Sequence, residues 1–118
     1  MRKGTTMVAL VALMVALFAT AAYADLIEGD RRNNNLNETS GDDQIYGYRG
    51  ADSLNADEFG NDVDQLFGGR GDDRLYADDG DNLDTLKGGR GTDRCYGDSG
   101  DTFGGGCEYI YKDGVLQT

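Results

Sequence analysis

Gly68-Gly69-Arg70-Gly71-Asp72-Asp73-Arg74-Leu75-Tyr76 returns twenty residues later as Gly88-Gly89-Arg90-Gly91-Thr92-Asp93-Arg94-Cys95-Tyr96. Both stretches obey one nine-residue formula, G-G-x-G-x-D-x-U-x, in which U is a large apolar residue. Glycines at the first, second and fourth places allow positive φ and a tight turn, so successive carbonyls point into one small space. The Asp adds a hard anionic oxygen, and Ca2+ takes about six to eight oxygen ligands. Each turn is therefore half of a cation site. The x-U-x that follows is a very short strand with one inward side chain. A single unit buries nothing by itself, so neighbours must stack.

Working outward on the U position aligns Leu36, Ile45, Leu54, Leu66, Leu75, Leu86 and Cys95, with Asn34, Asp43, Asp52, Asp64, Asp73, Asp84 and Asp93 two residues before them. The first unit, Gly29 to Asn37, is degenerate and reads as part of an N-terminal cap over residues 25–37. The next two keep Gly, Asp and U but lose leading glycines. From Ala56 compact GGRG turns alternate with longer acidic ones, Ala56 to Asp64 and Ala77 to Asp84, and a third acidic turn runs from Gly97 to Phe103. The repeats thus occupy residues 38–103. Residues 104–118 form a C-terminal cap, with a strand at Glu108 to Tyr111 and an Asp113-Gly114 turn into Val115-Leu116.

This pattern resembles the RTX (hemolysin-type) calcium-binding repeat family. The resemblance implies an all-β fold, a right-handed parallel β-roll in which two nonapeptides make one coil. Turns carrying Asp52, Asp73 and Asp93 would then stack on one side, and those carrying Asp43, Asp64 and Asp84 on the other. It further implies several Ca2+ ions between vertically adjacent turns, held by these carboxylates and by carbonyls of Gly50, Gly68, Gly69, Gly71, Gly88, Gly89 and Gly91. The strongest candidate lies between the Gly68 to Asp73 and Gly88 to Asp93 turns, which alone keep all three glycines. On the other side the inserted residues depart from the family pattern.

Charge supports the same reading. Of the 118 residues, 22 are acidic and 11 basic, with no histidine. Arg2 and Lys3, the uncharged run Met7 to Ala22 and the small-x-small site Ala22-Tyr23-Ala24 read as a cleavable export signal over residues 1–24. Its removal leaves 9 basic residues against 22 acidic ones, net −13. Such a chain repels nucleic acid phosphates and anionic membranes and attracts cations. With Leu, Ile, Val and Phe at 16 of 94 mature residues, it sits in the compositional range of disordered chains unless a cation neutralises it. The expected location is extracellular.

Cys95 and Cys107 are an even pair in an exported chain, which favours a disulfide over two unlinked thiols or a metal site. Without histidine, Ser-His and Cys-His nucleophilic catalysis is closed to this chain, and zinc lacks imidazole ligands. The acids fall in repeated places, as ligands do, rather than as one catalytic pair. The expectation is a secreted, non-catalytic calcium-binding protein with no nucleic acid partner and no membrane insertion. The alternative is an adhesion or polysaccharide-binding module that meets an extracellular polymer or cell surface through Tyr48, Phe59, Phe67 and the acidic loops.

Overall fold

A computed structural model describes residues 24–118, so the export segment expected over 1–24 lies outside the described residues except for Ala24. The described residues are all strand, turn and loop. Five strands, β1 (Leu26–Glu28), β3 (Gln44–Tyr46), β5 (Gln65–Arg70), β7 (Thr85–Arg90) and β9 (Thr102–Phe103), make one parallel sheet in that order. The second sheet runs β2 (Asn35–Asn37), β4 (Ser53–Asn55), β6 (Arg74–Ala77), β8 (Asp93–Gly97), β10 (Cys107–Lys112) and β11 (Val115–Leu116). From β1 to β10 consecutive strands alternate between the sheets, which makes a β-solenoid of about four turns.

Register follows the U residues. Ile27, Ile45, Leu66, Leu86 and Phe103 stand in line in the first sheet. Leu36, Leu54, Leu75, Cys95 and Ile110 do so in the second. The core is the face-to-face pair of these lines: Ile45, Leu54, Leu66, Leu75, Leu86 and Cys95, filled in by Ala56 and Ala77, are fully buried. One large side chain contributes about 1.5–3 kcal/mol, while ordering each of its nine residues costs roughly 1 kcal/mol or more. Such a thin core leaves the fold dependent on its hydrogen-bond ladders and on the state of its turns.

The residue after U points away from the core and packs on the same residue of the next coil. Tyr76, Tyr96 and Tyr111 form a stack with centroids 4.7 and 4.6 Å apart. Tyr46 stacks on Phe67 at 4.5 Å, and the Lys87 ammonium covers the Phe67 ring at 5.5 Å. These spacings are the strand spacing itself.

At the C-terminus β10 joins β8 in parallel, with a bulge between Cys107 and Tyr109, and turns back antiparallel into β11. Asp113 and Gly114 both have positive φ, 50° and 79°, as a two-residue hairpin requires. Cys95 and Cys107 are disulfide-bonded, with Cα atoms 5.8 Å apart, which ties the last core position of the roll to this hairpin.

Candidate metal centre

Side chains alternate along a strand, so a residue two before U shares the inward direction of U. Asp43, Asp52, Asp64, Asp73, Asp84 and Asp93 are accordingly buried to 2% exposure or less. They stand in two columns. In the first, the N–H groups of Asn34, Asp52 and Asp73 donate to Oδ1 of Asp52, Asp73 and Asp93 at 2.7–2.8 Å, and Asp93 N–H donates to Glu108 Oε2 at 2.8 Å. In the second, Asp25, Asp43 and Asp64 donate to Asp43, Asp64 and Asp84 at 2.7–2.8 Å, and Asp84 to Asp101 at 3.2 Å. Each Asp thus fixes one oxygen with the N–H of the preceding coil. The other oxygen, Oδ2, of Asp52, Asp64, Asp73, Asp84 and Asp93 is buried without a hydrogen-bond donor among the described residues.

The first column lies on the glycine-rich side. A β-carbon added at Gly68 would stand 2.5 Å from both Asp73 Oδ2 and the Gly88 carbonyl oxygen. The same holds at Gly47, against Asp52 Oδ2 at 2.5 Å and Gly68 O at 2.6 Å, and at Gly88, against Asp93 Oδ2 at 2.6 Å and Gly106 O at 2.3 Å. A carboxylate oxygen and a carbonyl oxygen converge there once per coil. This revises the role of the first glycine: its φ is not positive, and what the turn requires there is space. The second and fourth places do need positive φ, with Gly69 and Gly89 at 99° and 98° and Gly71 and Gly91 at 131° and 130°. Gly50 takes the fourth place one coil earlier, at 107°, and Tyr48 holds the second place at 72°.

In the second column the fourth place keeps a positive-φ glycine at Gly41 (109°) and Gly80 (99°), but the first place is glycine only in the last turn, at Gly97, where an added β-carbon would stand 2.7 Å from Asp101 Oδ2. Glu38, Ala56 and Ala77 take the first place, as their order after β2, β4 and within β6 shows, and all three are buried. Glu38 Oε1 accepts the N–H groups of Glu58 and Phe59, whereas Oε2 has no donor among the described residues. Glu38, Asp43 and Asp64 offer oxygens within 4.8 Å of one another; so do Asp62, Asp79 and Asp81, and Asp81, Asp84 and Asp101.

No lysine or arginine is buried among the described residues, so the buried acids face one another uncompensated. Desolvation pushes Asp64 up to about 8, Asp84 to about 7 and Asp73 to about 6, with neighbouring carboxylates adding to the rise. Burial likewise raises Asp52, Asp93, Asp101 and Glu38. Oriented acid oxygens without donors, together with carbonyls and without imidazole or free thiol, are a donor set for a hard divalent cation such as Ca2+ rather than for zinc.

Sequence reading missed four members of this arrangement. Asp25-Leu26-Ile27 and Asp101-Thr102-Phe103 are themselves Asp-x-U units, placed one step outside the aligned series, and Glu108-Tyr109-Ile110 is a variant with Glu. Their spacing and apolar third residue were the available signal. For Glu38 there was only the oddity of an acid in a glycine's place.

A family model described as the RTX calcium-binding nonapeptide repeat matches the chain in four copies, over residues 20–54, 28–63, 59–83 and 84–103. No curated protein and no solved structure matches it.

Proposed function

The chain belongs to the RTX calcium-binding nonapeptide repeat family, and from that premise we propose that it is a secreted, non-catalytic protein whose roll is ordered by several Ca2+ ions. Asp52, Asp73 and Asp93 would contribute Oδ2 on the glycine side, with carbonyls of the stacked glycine turns, and Asp64 and Asp84 would do so on the other, beside Asp43, whose Oδ2 also accepts Thr39 N–H at 2.7 Å. The observation that carries this reading is the row of buried Oδ2 atoms without donors. A bound cation supplies what those oxygens lack, cancels the repulsion between coils, and so couples binding to folding. Export to a calcium-rich exterior fits both the N-terminal segment and the disulfide.

Calcium titration of the purified chain, followed by far-UV circular dichroism and calorimetry, tests it. The expected result is a cooperative gain of β structure with uptake of more than one ion per chain. A spectrum in EDTA identical to that in calcium, with no heat of binding, overturns it.

The alternative, an adhesion or polysaccharide-binding module, draws on Tyr48 and Phe59, which are exposed. Phe67 is covered by Tyr46 and Lys87 and offers no free ring face. Calcium-dependent retention on cell-wall polymers, lost in a Tyr48→Ala/Phe59→Ala variant that still folds, would favour the module.

A further inference from the structure

The side of the roll with inserted turns departs from the nonapeptide formula in its carboxylates, at Glu38 and in the residues that lengthen the turns. Glu38 stands where the repeat asks for glycine and is 8% exposed. Its Oε1 is held by two N–H groups of the next coil, and Glu38, Asp43 and Asp64 each offer a carboxylate oxygen within 4.8 Å of the others. Oε2 of Glu38 and Oδ2 of Asp64 are both buried and without donors among the described residues.

A second group lies wholly in inserted residues. Asp62, 8% exposed, accepts Gly41 N–H through Oδ2 at 3.2 Å. Asp79 accepts Asp81 N–H through Oδ1 at 3.0 Å. Asp81 accepts Asn61 N–H through Oδ2 at 2.6 Å and Leu83 N–H through Oδ1 at 2.8 Å. The remaining oxygens, Asp62 Oδ1 and Asp79 Oδ2, are buried without donors, and Asp62, Asp79 and Asp81 each offer an oxygen within 4.8 Å of the others. In both groups backbone N–H groups orient the carboxylates; Glu38, Asp64, Asp62 and Asp79 each keep one buried oxygen without a donor among the described residues, as in the Asp-x-U columns, while Asp43 and Asp81 accept hydrogen bonds at both oxygens.

We propose that the inserted turns create a second kind of cation site, built from side-chain carboxylates alone, at Glu38–Asp43–Asp64 and at Asp62–Asp79–Asp81. The ligand class is a hard, oxygen-seeking divalent cation of the Ca2+ type. Three carboxylates at one point bring more negative charge to the ion than one carboxylate and a set of carbonyls, and affinity for Ca2+ rises with ligand charge. These sites therefore fill first on titration. This inference rests on the reading of the chain as a calcium-ordered roll, and it adds ligands that the repeat formula does not define.

The test counts Ca2+ bound per chain by equilibrium dialysis and elemental analysis, with calorimetry for affinity, on the full chain and on Glu38→Gln, Glu38→Ala, Asp79→Asn and Asp73→Asn. Glu38→Ala guards against misfolding, because Ala56 and Ala77 already occupy that place in the next two coils. The Glu38 variants and Asp79→Asn should each lose one ion from the tightest class, or weaken it by about 10-fold or more. Asp73→Asn should remove an ion of the weaker class. If the unchanged chain and Asp73→Asn behave as expected while Glu38→Gln, Glu38→Ala and Asp79→Asn keep the full count and affinity, the carboxylates share protons instead and the inference falls, with the calcium-ordered roll intact. A full chain that takes up no calcium removes both.

Discussion

Asp73 accepts the backbone N–H of Asp52 at 2.8 Å through Oδ1, and its Oδ2 is buried without a donor among the described residues. One oxygen holds the coils in register; the other is turned toward the Gly88 carbonyl of the next coil, at the spot where Gly68 lacks a β-carbon. With Asp73 as the proposed calcium ligand, register and ligation would share one carboxylate and could be separated by substitution. Asp73→Asn and Asp93→Asn keep an Oδ1 acceptor and lose the charge. They should weaken calcium affinity by about 10-fold or more, whereas Asp72→Asn, whose exposed side chain accepts only Thr92 N–H, should change it little. Equal effects in a calcium titration would assign binding to bulk charge.

Gly68→Ala tests the cradle without altering any charge. The added methyl group would meet Asp73 Oδ2 and Gly88 O at 2.5 Å, so calcium-dependent folding should need far more calcium. Gly105 has nothing within 4 Å of an added β-carbon, and Gly105→Ala should behave as the unchanged chain. Calcium midpoints by circular dichroism give the comparison.

Calcium should order the chain with a midpoint of about 0.1–1 mM, the range of extracellular modules. Magnesium should substitute poorly, because it demands near-octahedral geometry and dehydrates reluctantly. Equal ordering by the two ions at equal concentration would contradict a site of the Ca2+ type.

Without metal, pH should act opposite to the usual carboxylate case. Burial raises Asp64 to about 8, Asp84 to about 7 and Asp73 to about 6, above the unfolded value of about 3.9. A group with a raised folded pKa contributes stability that is present below the unfolded value and lost as pH rises through the folded one. Melting temperature in EDTA should therefore fall between pH 4 and 8, and calcium added near pH 6 should release protons. A melting temperature that climbs across this window in EDTA would refute the uncompensated burial.

Reduction of the Cys95–Cys107 bridge should lower thermal stability even in saturating calcium. The loop spans 12 residues, and closing one of that size contributes about 3 kcal/mol in the chain-entropy model. Hydrogen exchange should accelerate in β10 and β11 while protection in β3 to β6 holds, since neither β10 nor β11 pairs with any of those strands. Uniform loss of protection would mean that the bridge supports the whole roll.

The sequence alone determined the repeat unit. An apolar residue with an Asp two positions before it, recurring at about nine-residue spacing, dictates short strands and the inward placement of Asp43, Asp52, Asp64, Asp73, Asp84 and Asp93, because side-chain direction in a strand depends only on local spacing, whereas the alternation of those strands between two sheets was what the family resemblance implied. The Asp113-Gly114 hairpin was legible for the same local reason. Only the tertiary structure decided which oxygens meet. Stacking coils brings Gly88 O to Asp73 Oδ2, across fifteen residues of sequence, and Glu38 to Asp64, across twenty-six. It also drew Asp25, Asp101 and Glu108 into the columns, since irregular spacing at the ends hides a register that strand pairing restores. Even the first glycine's purpose, space rather than backbone freedom, exists only once a neighbouring coil lies against it.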